Sequence, residues 1–157
     1  EYGPAKRWPA THFSALAQSL SVPTVLIGSA KEAALCEGIA APVNAAQVEK
    51  VRNLAGHTDL LTAMDVIASA RAVVSNDSGL MHVAAAFGVA QVALFGSSSP
   101  EHTPPLNTQA QVLWLARDAA YTPALSCAPC FERQCPLGHT RCLNDIRPER
   151  VRQALGM

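Results

Sequence analysis

Short β-branched runs alternate along this chain with longer stretches of helical periodicity. That alternation constrains the fold more than any other feature, because it is the pattern of βαβ units wound around a parallel sheet. The clearest strands are Thr24-Val25-Leu26-Ile27, Ala72-Val73-Val74-Ser75 and Gln91-Val92-Ala93-Leu94-Phe95, with weaker ones over residues 51–54 and 112–115. These runs are apolar throughout rather than alternating, so each is expected to be covered on both faces.

The helical stretches fall between them. Residues 11–20 place Phe13, Leu16, Ala17 and Leu20 at three- and four-residue steps, an amphipathic stripe. A second helix is expected over residues 31–39. A third is expected over 59–70, where Leu60, Met64, Ile67 and Ala68 recur behind Thr58 as N-cap. A fourth spans 78–87 and closes at Gly88, the usual residue for a left-handed cap. Pro148 suits the first position of a last helix, 148–155. With no internal repeat or low-complexity tract, the expectation is one α/β domain, a doubly wound parallel sheet over residues 1–157.

Composition closes off other classes. Of 157 residues, 49% are apolar and 15% are charged, too apolar for a disordered tail. No run approaches the roughly 20 apolar residues of a membrane span, so no transmembrane segment is expected. Lys+Arg and Asp+Glu balance at 12 each, which argues against a dedicated nucleic-acid binder. Aromatics are only 5%, so the core is expected to be mostly Ala, Val, Leu and Ile. The opening Glu1-Tyr2-Gly3-Pro4 has neither initiator Met nor leader, and is read as a piece of a longer protein or a trimmed form of one.

In open α/β sheets ligands bind beyond the carboxyl ends of the strands. The sharpest such corner is Ser75-Asn76-Asp77-Ser78-Gly79-Leu80-Met81-His82, where a strand runs through polar residues into an Ala-rich helix. Gly79 permits close backbone approach, and the first amides of a helix favour an anion. A diphosphate fits the Ser78 and Gly79 amides and the Ser78 hydroxyl. Asp77 would repel phosphate and suits sugar hydroxyls instead. The alternative is that Asp77 or Ser78 simply caps the helix. His82, one turn along, either reaches a ligand or, the favoured reading, is a core histidine bonded to a carbonyl.

Two further turns carry the same ambiguity. In Gly28-Ser29-Ala30-Lys31-Glu32, Glu32 either bonds a ribose diol or serves the helix dipole with Ser29 as cap, and the residues alone favour the second. The run Gly96-Ser97-Ser98-Ser99-Pro100 either lines the same crevice or is a rigid connection. Lys6 and Arg7 are a point charge and a fork suited to phosphate, or else a solvated basic pair.

Taken in order, Gly-Pro-Ala-Lys-Arg-Trp-Pro (3–9), Gly-Ser-Ala-Lys-Glu (28–32), Asn-Leu-Ala-Gly-His-Thr (53–58), Asn-Asp-Ser-Gly-Leu-Met-His-Val-Ala-Ala-Ala (76–86) and Phe-Gly-Ser-Ser-Ser-Pro (95–100) are distinctive. They resemble the C-terminal half of the ADP-heptose:lipopolysaccharide heptosyltransferases. The likeness covers nearly the whole chain, is most specific from Lys6 to Pro105, and fades over residues 121–143. It implies glycosyltransferase family 9 and the GT-B architecture, two Rossmann-like domains facing across a cleft with the nucleotide-sugar donor held mainly by the C-terminal one.

By that resemblance Lys6 meets donor phosphate, Glu32 the ribose, Gly56-His57-Thr58 the adenine, Ser78 and Gly79 the diphosphate, and Asp77 the heptose hydroxyls. Arg7, Ser29, Thr58 and His82 complete the donor-side set, and Lys6 and Asp77 become the catalytic candidates. The resemblance also implies inversion at the anomeric carbon without a catalytic metal or required cofactor. The acceptor would be the lipopolysaccharide inner core, bound by an N-terminal domain that also supplies the general base and lies outside this chain. A cytoplasmic enzyme with peripheral contact at the inner membrane is implied. The strand expected ahead of Tyr2 is absent, and the isolated piece is expected to bind ADP weakly and transfer no sugar. Two other readings remain: a GT-B donor domain for a UDP- or GDP-sugar, and a metal-stapled interaction module.

A cysteine-rich segment at 127–142 stands apart from these motifs. Cys127, Cys130, Cys135 and Cys142 with His139 between them resemble a zinc knuckle, although the second pair lacks the usual two-residue spacing. Disulfides are unusual in a reducing compartment. Structural zinc, reduced thiols and an opportunistic disulfide all remain open here, and catalysis is not expected to depend on the segment.

Overall fold

A computed structural model describes residues 3–157; the strand expected ahead of Tyr2 lies outside the described residues. The chain runs α1 (Ala10–Ser19), β1 (Thr24–Leu26), α2 (Ala33–Ala46), β2 (Val51–Asn53), α3 (Leu60–Ala68), β3 (Val73–Asn76), α4 (Gly79–Ala86), β4 (Gln91–Phe95), β5 (Ala110–Trp114), α5 (Arg141–Asn144) and α6 (Pro148–Ala154). Single 3₁₀ turns occupy Pro4–Lys6, Ala30–Glu32 and Leu115–Arg117. Every strand pair is parallel, as the βαβ pattern requires.

The expected single sheet is divided. β1 pairs with β2, and β3, β4 and β5 form a separate sheet in that order. Coverage follows the division. β4 is buried along its whole length, whereas β3 is half-buried and Val25 of β1 keeps 43% of its exposure. Only the central strand of the larger sheet therefore meets the two-faced expectation.

β4 shows why its run is uniformly apolar. Val92 and Leu94 join Trp8, Leu16, Leu143, Ile146 and Val151 on one face, while Ala93 and Phe95 pack on Met81 and Trp114 on the other. α1 packs on α2 and α6, and α3 packs on α4.

Three local expectations need correction. α3 is capped by Asp59, whose Oδ1 accepts from the Thr62 N–H at 2.8 Å, and not by Thr58. α2 continues past residue 39 to Ala46 because Ala40 and Val43 extend its buried stripe; Pro42 and Gly38, whose backbone bond is lost, both face solvent. α5 has no counterpart among the expected helices. Gly88 does adopt the left-handed conformation (φ 66°) that ends α4.

Residues 3–8 are laid across the carboxyl ends of β3 and β4. Trp8 is fully buried, donates from Nε1 to Ile146 O at 2.8 Å, and meets Phe13 edge-on at 4.7 Å. Its backbone N–H donates to Asn76 Oδ1 at 3.0 Å. Upstream, the Ala5 N–H donates to Arg133 O at 3.1 Å, and the Ser97 N–H donates to Ala5 O at 3.3 Å. Gly96 allows this approach, since a Cβ there would sit 2.6 Å from Leu143 Cγ and 2.8 Å from Ala5 O. Gly96→Ala is therefore expected to lower stability by about 1–3 kcal/mol, the usual cost of overpacking. The readout is a lower urea midpoint at unchanged slope; an unchanged midpoint would show that the segment yields.

Candidate functional site

The carboxyl ends of β1 and β3 open onto one cleft of ≈ 1620 Å³. Its lining includes Lys6, Arg7, Ser29, Glu32, Thr58, Asp77, Ser78, Gly79 and His82, whereas Gly56 and His57 of the expected adenine turn do not line it.

At the β3–α4 corner, Lys6 Nζ stands 2.6 Å from Asp77 Oδ2, with side-chain exposures of 21% and 7%. Lys6 and Asp77 are 71 positions apart, and the path of residues 3–8 brings them together. The basic pair is thus not a solvated one. Asp77 is committed to this ion pair rather than to capping. Ser78 precedes α4 in extended backbone (φ −151°, ψ 167°) and makes no side-chain cap bond, while Ser78 and Gly79 are exposed. The helix therefore begins with amides that no side chain satisfies, the electrostatic condition for anion binding.

The β1–α2 corner is built as a capping box. The Ser29 backbone N–H and its hydroxyl both donate to Glu32 Oε2, each at 2.8 Å. Burial pushes the Glu32 carboxyl up, but the two Ser29 donors and the nearby Arg7 charge outweigh it, so it lies below the ordinary range. The turn after β2 nests on this corner. The Gly56 N–H donates to Gly28 O at 2.9 Å, and at φ 78° a Cβ on Gly56 would lie 2.8 Å from Ala30 Cα. That close approach, which only glycine permits, brings Thr58 to the cleft.

The structure overturns one sequence reading and decides between the two left open for another. His82 is exposed on the cleft side, because the buried stripe of α4 is Met81, Ala84 and Ala85; it is not a core histidine. Ser97, Ser98 and Ser99 are buried and do not line the cleft. Ser97 O accepts from the Phe131 N–H at 2.7 Å and Ser99 Oγ from the Glu101 N–H at 3.1 Å, so this loop is a rigid connection. Sequence reasoning missed the positioning parts played by Asn76 and Gly96. A polar side chain at the strand end and a glycine directly after β4 were the available signals.

None of the five cysteines forms a disulfide. Burial raises Cys135, but N–H groups of Thr140 (3.4 Å from Sγ), Leu137, His139 and Gly138 outweigh it, and its pKa falls below the ordinary thiol value. Cys142 is pushed up to about 11 by burial and by the neighbouring Cys130, Cys135 and Cys127. Among the described residues no group of three or more His, Cys, Asp or Glu is disposed to hold a metal ion. Arg141 ties the segment down: its Nη2 donates to Tyr121 Oη at 2.7 Å and its Nε to Asp145 Oδ2 at 3.2 Å. Tyr121 Oη donates to the same carboxylate. Among the described residues no helix is long and apolar enough to cross a membrane.

Comparison with known proteins agrees with this geometry. Residues 1–141 match glycosyltransferase family 9 (heptosyltransferase). Lipopolysaccharide heptosyltransferase 2 of Salmonella typhimurium is 43% identical over 99% of the chain, and so is the Escherichia coli protein of that name. The chain spans 43% of the length of each of these relatives. A solved structure, E. coli ADP-heptose lps heptosyltransferase II, superposes over 99% of this chain and 43% of its own with a TM-score of 0.82 at 42% identity. A family 9 glycosyl transferase from Veillonella parvula covers 98% of this chain and 42% of its own, with a TM-score of 0.73 at 28% identity. The α/β architecture is therefore that of half a GT-B enzyme, and the chain belongs to glycosyltransferase family 9, the heptosyltransferases.

Proposed function

We propose that residues 1–157 are the C-terminal, donor-binding half of an ADP-heptose:lipopolysaccharide heptosyltransferase that transfers heptose to the inner core with inversion and without a metal. The observation that carries this reading is the Lys6–Asp77 ion pair, 2.6 Å across, at the uncapped N-terminus of α4. In the reading, the diphosphate sits on the Ser78 and Gly79 amides with Lys6 beside it. Glu32 and Ser29 face the ribose, Thr58 flanks the base, and Arg7 and His82 close the rim.

The chemistry follows from where charge develops. As the bond from the anomeric carbon to the departing ADP breaks, negative charge accumulates on the diphosphate. An ammonium and helix amides already aimed at that position bind it more strongly in the transition state than in the ground state, which is the condition for acceleration. Asp77 accepts from Lys6 and, with its second oxygen, from heptose hydroxyls. The acceptor site and the general base belong to the rest of the longer polypeptide, working at the cytoplasmic face of the inner membrane.

Calorimetric titration of ADP into the wild type and into Lys6→Ala tests the reading. A charge-assisted hydrogen bond contributes about 1.5–3 kcal/mol, so binding is expected to weaken about 10- to 150-fold. Far-ultraviolet dichroism establishes that the variant is folded, and equal affinities would remove Lys6 from the site. In a thermal shift ADP is expected to stabilise and UDP not; equal stabilisation by UDP would overturn the choice of base. The longer polypeptide should transfer heptose and the 157-residue chain should not, so turnover by the chain alone would overturn the division of labour.

The cysteine segment takes no part in this reaction. Iodoacetamide near pH 7 is expected to alkylate Cys135, whose thiolate is favoured, well before Cys142, which ionises only toward pH 11. Alkylation of Cys135 should leave ADP affinity unchanged; a loss of affinity would tie the segment to the donor site.

A further inference from the structure

The carboxamide of Asn76 has two unlike ends, and the fold tells them apart. Its Oδ1 accepts from the Trp8 backbone N–H at 3.0 Å. A backbone N–H only donates, so the atom facing it has to be the oxygen, and the NH2 group is turned the other way. Asn76 is half-buried and lines the cleft together with Lys6, Asp77, Ser78 and Gly79. Among the described residues its NH2 group meets no protein acceptor, although it sits where the polar groups of the β3–α4 corner converge.

The strand explains this placement. Side chains alternate along β3, so Asn76, its last residue, shares the face of Val74, which packs on the core around Trp8. That face delivers the carboxamide to residues 3–8 as they cross the end of the strand. The next residue, Asp77, meets Lys6 Nζ at 2.6 Å. Two neighbouring residues thus grip one short segment, at Trp8 and at Lys6. Each uses an oxygen to do so. Beyond the grip Asp77 offers a second oxygen, an acceptor, and Asn76 offers two N–H donors.

Donors and acceptors select different parts of a sugar nucleotide. A carboxylate oxygen only accepts and suits hydroxyls, whereas an NH2 group only donates and finds its strongest partner in an anionic oxygen. We propose that Asn76 is a further diphosphate-binding residue of this cleft: its oxygen holds the Lys6 segment through the Trp8 N–H, and its NH2 group donates to a phosphate oxygen beside the Lys6 ammonium. The proposal rests on the donor reading above and adds an uncharged donor to it. The bond that orients the NH2 group is also the bond that registers Trp8, so a single side chain couples the placement of the cation to recognition of the anion.

Asn76→Asp separates the two ends. The side chains have nearly the same shape, and a carboxylate still accepts from the Trp8 N–H but has no donor for a ligand. In the longer polypeptide the variant is expected to keep the wild-type urea midpoint and to bind ADP about tenfold or more weakly, the effect of losing a hydrogen bond to a charged group. Wild-type affinity for ADP in Asn76→Asp overturns the inference, and so does a loss seen with ADP-heptose but not with ADP, which would make the sugar the partner. Should Asn76→Asp lower the midpoint, Asn76→Ala in a Lys6→Ala background decides. A residue that only places Lys6 has no further effect once the lysine is gone, whereas a direct donor is expected to weaken ADP by about a further threefold or more. Equal affinity of Lys6→Ala and the double variant overturns the inference. The donor reading fails separately, if the wild type does not bind ADP or Lys6→Ala binds it equally well.

Discussion

An ammonium 2.6 Å from a carboxylate that keeps 7% of its exposure fixes where the first cation of this chain points. The backbone does most of the locating. Trp8 is buried and bonded at both its indole and its amide, and Ala5 is bonded on both sides, so residues 3–8 have no freedom to leave the carboxyl ends of β3 and β4. A lysine on that segment could still extend into solvent, where an exposed pair contributes little. Asp77 prevents this, because a largely buried carboxylate left without its cation is strongly disfavoured. The orientation of the charge is thus set by folding, before any ligand arrives, which is what electrostatic preorganisation demands.

That arrangement also determines what kind of attraction the mouth exerts. Lys6 is matched by Asp77, Arg7 acts on Glu32, and the whole chain carries no net charge. The corner is consequently no long-range funnel for anions. In the donor reading, its selectivity would rest on short-range donors, the Lys6 ammonium and the amides of α4 that no side chain caps. Such a site would discriminate by geometry, and the largely buried Lys6–Asp77 pair that orients it is screened by salt less than an exposed pair.

Periodicity made the elements legible, and local chemistry made some corners so. The Gln91–Phe95 strand is apolar because both its faces are packed, and Ser29 with Glu32 three residues on is a capping box in sequence as in structure. Choices between neighbours were not legible. Thr58 and Asp59 are both good caps, and only backbone geometry selects Asp59. His82 was misjudged because the phase of the α4 stripe depends on Met81, Ala84 and Ala85 meeting β4. The serines after Gly96 look like ligand donors in sequence, yet the backbone of Ala5 and Phe131 covers them. The Lys6–Asp77 contact spans 71 positions and has no local signal; the order of motifs pointed to it, and the chain path explains it.

The divided sheet was the least legible feature, because it depends on what lies between the strands rather than on the strands themselves. Val25 and Val74 carry the β-branched side chains of interior strands while their backbone groups face an opening. Open edges of this kind are normally paired or covered. Residues 3–8 do not depend on the divided sheet for their position: they are anchored at Trp8 and at Ala5 where they cross the carboxyl ends of β3 and β4. Lys6 therefore keeps its place beside Asp77 whatever the state of the edges below it.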